Sequence, residues 1–250
     1  MAKESGLGDN LYIAGYNASG DIQQLGRIGG GPALLVMTGI DKSAFERKGG
    51  LRDGALEMTT FFNTDSVDGA THEKLSALPR ADVILTYCRG TTLGSPAASL
   101  VGKQVGYDPQ RGDDGMITFT VSAQANGYGI EWGRQLTAGV RTDTAAANGT
   151  GIDTTASADF GGQAYLQVFS FTGTDATVKI QDSADNSTFA DVTGLAFTQI
   201  TAGPTSERIS ISNTATIRRY VRAVTVTTGG FSSLAFAVNF IKNEVADVQF

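Results

Sequence analysis

The clearest pattern in this 250-residue chain is alternation with a period of two. In Met116–Ala123 (MITFTVSA), Ile117, Phe119, Val121 and Ala123 fall on one face of a strand, and Met116, Thr118, Thr120 and Ser122 on the other. Leu11–Tyr16, Ala33–Thr38, Leu56–Phe62, Val83–Cys88 and Ser99–Val105 read as further strands. A helical period occurs once in the first half. Val67, Thr71, Leu75 and Leu78 share one stripe, and Pro79 ends it. Ser43 and Glu46 have capping-box spacing ahead of Gly49-Gly50, which predicts about one and a half helical turns, far below the ~12 residues an isolated helix needs. Gly29-Gly30-Gly31-Pro32 reads as a turn between strands, and DPQRGDDG as the turn before MITFTVSA.

The pattern stops at residues 142–159 (TDTAAANGTGIDTTASAD), where five Thr and five Ala accompany one large apolar residue, Ile152. Such a segment cannot build a core and reads as a flexible linker. Beyond it, Ala176–Gln181, Glu207–Ser212 and Leu234–Ile241 alternate again, separated by the turn clusters TGTD, SADNS, TAGPTS and TTGG. The fold class is therefore mainly β: a sandwich with one flanking helix over 1–141, the linker, and a second small all-β sandwich over 160–250.

Composition supports that reading and limits function. Thirty-two glycines and 18% charged residues fit short strands and turns. Net charge is −6, with 13 basic and 16 acidic residues in 1–150 and 6 and 9 in 151–250. Neither half carries the basic stripe of a protein that grips nucleic-acid phosphates. The longest apolar runs are five residues, Ala33–Met37 and Leu234–Val238, against the ~18 of a membrane span. MAKESGLGDN has no apolar signal core, so synthesis in a cytosol is expected.

Candidate chemistry is sparse. His72 is the only histidine and lies in T-H-E-K, without the second His of a zincin helix; it reads as a helix-surface residue. Cys88, the only cysteine, ends an apolar strand and reads as core. Asp182, Asp185 and Asp191 lack EF-hand spacing and read as turn chemistry. The Arg111-Gly112-Asp113 tripeptide reads the same way. No enzyme activity, cofactor or metal is expected.

Three stretches carry a resemblance: LYIAGYNASGDIQQLGRIGGGPALLVMTGIDKSAFERKGGLRDGALEMTTFF (11–62), HEKLSALPRADVILTY (72–87) and VGKQVGYDPQRGDDGMITFTVSAQANGYGIEWG (101–133). Together, over roughly residues 8–140, the chain resembles the major tail tube proteins of long-tailed, siphovirus-type bacteriophages. The resemblance implies a virion protein assembled in the host cytoplasm. Its subunits would form rings, usually hexameric, whose inner sheets join into a barrel. Stacked rings would make a tube through which genomic DNA passes without specific binding. The implied partners are the chain itself and the tape measure, distal tail and tail terminator proteins. Residues 160–243 look like the immunoglobulin-like modules displayed outside such tubes. The alternative is a tail fibre or adhesin-type module that binds host cell-surface glycans through that sandwich, with Tyr165, Phe169, Phe171, Phe189, Tyr220 and Phe231 as the aromatic candidates.

In the tube reading, residues 39–55 reach an adjacent subunit. Asp41, Lys42, Glu46, Arg47, Lys48, Arg52 and Asp53 make a nearly neutral charged patch, which suits another patterned protein surface better than phosphate. Phe45 is the expected aromatic anchor.

Overall fold

Residues 5–63, 71–76 and 81–246 are described by a computed structural model, and they are mainly β. In the first half the strands are β1 (Asn10–Ile13), β2 (Tyr16–Asn17), β3 (Ile22–Val36), β4 (Arg47–Phe61), β5 (Val83–Cys88), β6 (Pro96–Arg111), β7 (Ile117–Ala125) and β8 (Glu131–Gln135). The second half contributes β9 (Arg141–Asp143), β10 (Ile152–Asp153), β11 (Gly162–Gly173), β12 (Thr177–Ser183), β13 (Ala190–Ala196), β14 (Thr205–Ser210), β15 (Tyr220–Val226) and β16 (Phe231–Lys242). One α-helix, α1 (Thr71–Leu75), and a short 3-10 turn at Ser19–Asp21 lie among the described residues.

One sheet runs through both halves in the order β14-β11-β16-β8-β6-β5-β1-β2. A second, β10-β15-β12-β13, closes the C-terminal sandwich. Strand β6 changes company at Gly102, and a bulge follows between Gln104 and Gly106. Up to Gly102 the strand pairs with β5 and β8; from Lys103 on it pairs only with β7. Strands β7, β4 and β3 then lie side by side as a ribbon leaving the body. Bulges of this kind bend a strand and redirect its remaining length.

The two halves have separate cores, and β11 contributes to the C-terminal one. Ala164, Leu166 and Val168 face the C-terminal core with Val178, Ile180, Ile217, Phe236 and Phe240. The first-half core holds Leu11, Leu56, Met58, Leu85, Leu100, Phe119 and Val121. All seven residues of Gly162–Val168 are buried, so both faces of β11 are covered. Its second face carries Gln163, Tyr165 and Gln167, and these meet the first half through hydrogen bonds. Gln167 Nε2 donates to the Ile84 carbonyl (3.0 Å) and to Thr86 Oγ1 (3.2 Å), and its Oε1 accepts from Gly15 N (2.6 Å). Asn239 Nδ2 donates to Ser99 Oγ (2.9 Å). Glu131, Tyr165 and Arg208 form a buried triad across the same seam. Arg208 reaches both Glu131 oxygens (3.0 and 3.1 Å), Tyr165 Oη donates to Glu131 Oε2, and the guanidinium lies 3.7 Å from the Tyr128 ring centroid. Burial and the adjacent Glu131 charge push the Tyr165 phenol well above its ordinary range.

Several sequence expectations need correction. Residues 142–159 are tied down along their length instead of forming a free linker. Asp143 holds Arg141 (2.7 Å) and Thr225 Oγ1 (2.7 Å), Ile152 is buried in the C-terminal core, and Lys242 Nζ donates to the Thr154 carbonyl (2.9 Å). Few of its own residues are apolar, because the core it joins is supplied by β11 and β16. Gly29–Pro32 is continuous strand, not a turn. A Cβ at Gly30 would lie 2.2 Å from the Asp53 carbonyl, so glycine permits the close approach of β4. Pro32 is tolerated because β3 is an edge strand whose outer N–H groups need no partner in the sheet.

The predicted helical turn at Ser43 is also absent. Thr38 Oγ1 takes the Glu46 N–H (2.9 Å), Met37 N donates to the Glu46 carbonyl (2.9 Å), and Gly49-Gly50 lie within β4. One and a half turns cannot offset the cost of helix nucleation against a ready-made strand partner. For the other helix, α1 keeps Thr71 and Leu75 on a buried face, with Asp21 accepting from Thr71 Oγ1 (2.8 Å). Val67, Leu78 and Pro79 lie outside the described residues. His72 is half-buried, not a surface residue, with Nδ1 2.6 Å from Tyr107 Oη and its ring 4.6 Å from that of Phe62.

Candidate functional site: the β3–β4 arm

The ribbon narrows as it leaves the body. β4 pairs with β7 only over Ala55–Phe61, while β3 stays with β4 as far as Val36 opposite Arg47. Gly129 packs at Arg52, and beyond it Arg47–Leu51 has only β3 beside it. At ~3.4 Å per residue those five positions project about 17 Å, plus the connecting loop. The outer edge of β3 has no strand partner among the described residues. A fifteen-residue open edge is a template for pairing with another chain.

All eight residues expected to make subunit contacts lie on this arm. Lys42 Nζ lies 3.6 Å from Asp41 Oδ2 and 3.8 Å from Glu46 Oε1. Arg47 sits over the Phe45 ring, 5.0 Å from its centroid. Lys48 pairs in register with Leu35. Arg52 and Asp53 stand at the base, where Asp53 Oδ1 accepts from Gly54 N (2.7 Å). These exposed pairs contribute at most ~1 kcal/mol each. The charged residues therefore shape the tip without making it stable.

The apolar residues beside them matter more. Ile40 is fully exposed, Leu51 is 88% and Phe45 70% exposed, and Leu34, Val36 and Met37 are more than half exposed. Burying one such side chain is worth ~1.5–3 kcal/mol. A run of them on a two-stranded arm is the apolar surface that a soluble chain normally covers. The sequence points to the charges and Phe45 but makes ALLVM look like an ordinary half-buried strand. The available signal is its lack of alternation beside a segment that also lacks it.

Other candidates are accounted for locally. Cys88 is buried, which pushes its thiol up to about 12. Asp182 binds Arg218 (Nε 2.7 Å), Asp191 binds Lys179 (3.0 Å) and Gln181 (2.7 Å), and Asp185 caps the turn through Thr188 N (2.8 Å) and Ser187 N (2.9 Å). Among the described residues, no group of three or more His, Cys, Asp or Glu is placed to hold a metal ion. The six aromatic candidates do not form a shared platform. Tyr165 is in the seam, Phe169 packs on Tyr12 at 4.9 Å, Phe171 and Phe231 join the C-terminal core, and Phe189 and Tyr220 lie under Arg222 and Arg219. No described helix is long and apolar enough to cross a membrane.

No family model and no curated protein matches this chain. Solved structures align over 94% of it and 99% of their own length. One is SPP1 Dit (gp 19.1), described as a paradigm of the hub adsorption apparatus in phages infecting Gram-positive hosts, at 13% identity and TM-score 0.33. Two more are the phage p2 baseplate in its activated conformation, with Sr (10%, 0.35) and with Ca (10%, 0.30). Likeness of that extent does not bear on what this chain does.

Proposed function

We propose that the chain is a non-enzymatic structural subunit of a bacteriophage tail. Copies assemble into rings, and stacked rings form the tube that conducts DNA. The observation that carries this reading is the β3–β4 arm: an open edge and at least six exposed large apolar residues outside any fold the chain builds alone. The resemblance of residues 8–140 to tail tube proteins supports it. So does the charge balance, since an acidic chain without a basic stripe suits a passage in which phosphate must slide. The eight arm residues from Asp41 to Asp53 are the subunit contact, and the C-terminal sandwich is displayed outside the tube.

Electron microscopy of the purified protein over a concentration series tests this directly. Annular particles with a central channel, extending into tubes, are the expected result. A particle that stays monomeric by analytical ultracentrifugation at high concentration overturns the proposal. Rings that never extend would retain the ring and remove the tube.

A further inference from the structure

The register of the ribbon places two apolar, charged surfaces at its opposite ends. β4 and β7 are antiparallel, with Ala55 opposite Gln124 and Phe61 opposite Thr118. β6 and β7 close at Arg111 opposite Ile117, joined by the turn 112–115, where Gly112 N donates to the Met116 carbonyl (2.8 Å). The β6–β7 turn therefore lies at the end where β4 finishes, and the arm tip lies at the end where β4 begins. Strand direction alone fixes this polarity.

The two ends match in chemistry. At the turn end Phe62, Met116 and Ile117 are exposed. Around them Asp108, Asp113 and Asp114 are also exposed, three carboxylates against the one arginine, Arg111. At the arm tip the exposed Ile40, Phe45 and Met37 are accompanied by three cations and two carboxylates. Lys42 occupies both of those carboxylates, Asp41 and Glu46. Arg47 and Lys48 have no carboxylate partner among the described residues, so the available charge at the tip is positive.

We infer that the arm tip of one copy docks on the β6–β7 turn end of the next, head to tail along the strand direction. This rests on the proposed function and specifies its stacking contact. The occupant is a second copy of this chain: it supplies the matching acidic surface, and the apolar residues at both ends are covered in one step. An interface between two different patches of the same chain is heterologous: it closes into a ring where its rotation allows and otherwise repeats along an axis. The placement of the two patches at opposite ends of the ribbon favours the axial repeat. Its exposed cations and carboxylates steer the encounter and set its polarity.

Two experiments on the full chain test it. Arg47→Glu with Lys48→Glu should weaken assembly at least ~10-fold, since like charges then meet across the contact. Asp108→Lys with Asp113→Lys should do the same from the other side. In a mixture the acidic tip of the first variant meets the basic turn end of the second, and the native tip of the second meets the native turn end of the first, so co-assembly in alternation should return. In the second experiment, chains carrying Ile40→Cys are mixed with chains carrying Met116→Cys and oxidised; native Cys88 is buried. A disulfide between the two kinds of chain supports the inference. Ile40→Cys chains linked only to one another, or assembly without the mixed disulfide or without charge rescue, overturns it while leaving the proposed function standing. A native chain that never assembles overturns both.

Discussion

Strands β3 and β11 are both long and both carry polar and apolar residues where a two-faced strand would not place them. In β11 the anomaly is polar: Gln163, Tyr165 and Gln167 are buried. Each reaches across to the first half through hydrogen bonds, and of their side-chain polar atoms only Gln163 Oε1 lacks a partner among the described residues. In β3 the anomaly is apolar: Leu34, Leu35 and Val36 are exposed, and among the described residues nothing but β4 pairs with the strand. Buried polar groups are stable only when hydrogen-bonded, and exposed apolar clusters call for a partner. The first anomaly is resolved within the subunit and holds its halves together. The second is not resolved among the described residues, which is why the proposed function rests on β3–β4.

The largest test of the contrast is to break the seam. Glu131→Ala leaves the Arg208 guanidinium buried without its carboxylate, and removing one partner of a buried pair costs ~3–5 kcal/mol. Denaturant unfolding should show the midpoint falling with a loss of that size. Glu131→Leu combined with Arg208→Met should recover only part of it, because the uncompensated charge is gone while Tyr165 Oη and Gln163 Nε2 lose the carboxylate they share. If the single variant is neutral, the halves are not joined by this triad.

The converse is expected of the arm. Ile40→Ser and Phe45→Ser should change subunit stability by no more than ~0.5 kcal/mol, as at other exposed positions, and still abolish assembly in the ultracentrifuge. A variant that assembles normally removes these two residues from the contact. Gly30→Val is the intermediate case: its side chain meets the β4 backbone and Gly54 Cα at 2.4 Å, so the arm loses its pairing while both cores persist. Proteolysis should then cut within residues 30–55 before the body unfolds.

The same contrast explains what is legible in the sequence. Val83–Cys88 coincides with β5, and MITFTVSA, Ala176–Gln181 and Leu234–Ile241 lie within strands to about one residue. β7 and β12 alternate between a core face and a more open one, while β5 and the latter half of β16 are buried on both faces and read as dense apolar runs. β11 does not stand out, since its glutamines read as solvent-facing when they face another layer of the same chain. The linker reading fails for a related reason: Ile152 needs only a place in a core built elsewhere. β3 and β4 look shorter in sequence than they are, because glycine, proline and charge are turn signals in a sheet interior but are compatible with a two-stranded arm. Seven of the eight proposed contact residues are marked by their charge and Phe45 by its ring, while Leu34, Val36, Met37 and Leu51 carry no periodic signal.

The smallest expected effect concerns the C-terminal sandwich alone. Asp185 accepts from Ser183 Oγ and the Ser187 and Thr188 N–H groups, and these hold its carboxyl down at about 2. Arg219 and the Thr155 N–H do the same for Asp153, also at about 2. A carboxyl with a folded pKa below its unfolded value near ~3.9 stabilises the fold above that value. The contribution is lost as pH falls through the folded pKa, here between about pH 4 and 2. Asp185→Asn keeps an acceptor for the turn but cannot titrate. Its stability should therefore be lower than native at pH 7, and the gap should narrow as pH approaches 2. Because Asp185 lies far along the chain from the arm, the same variant should leave assembly at pH 7 unchanged. A gap that is constant with pH would mean that the turn is held by geometry and not by the charge on Asp185.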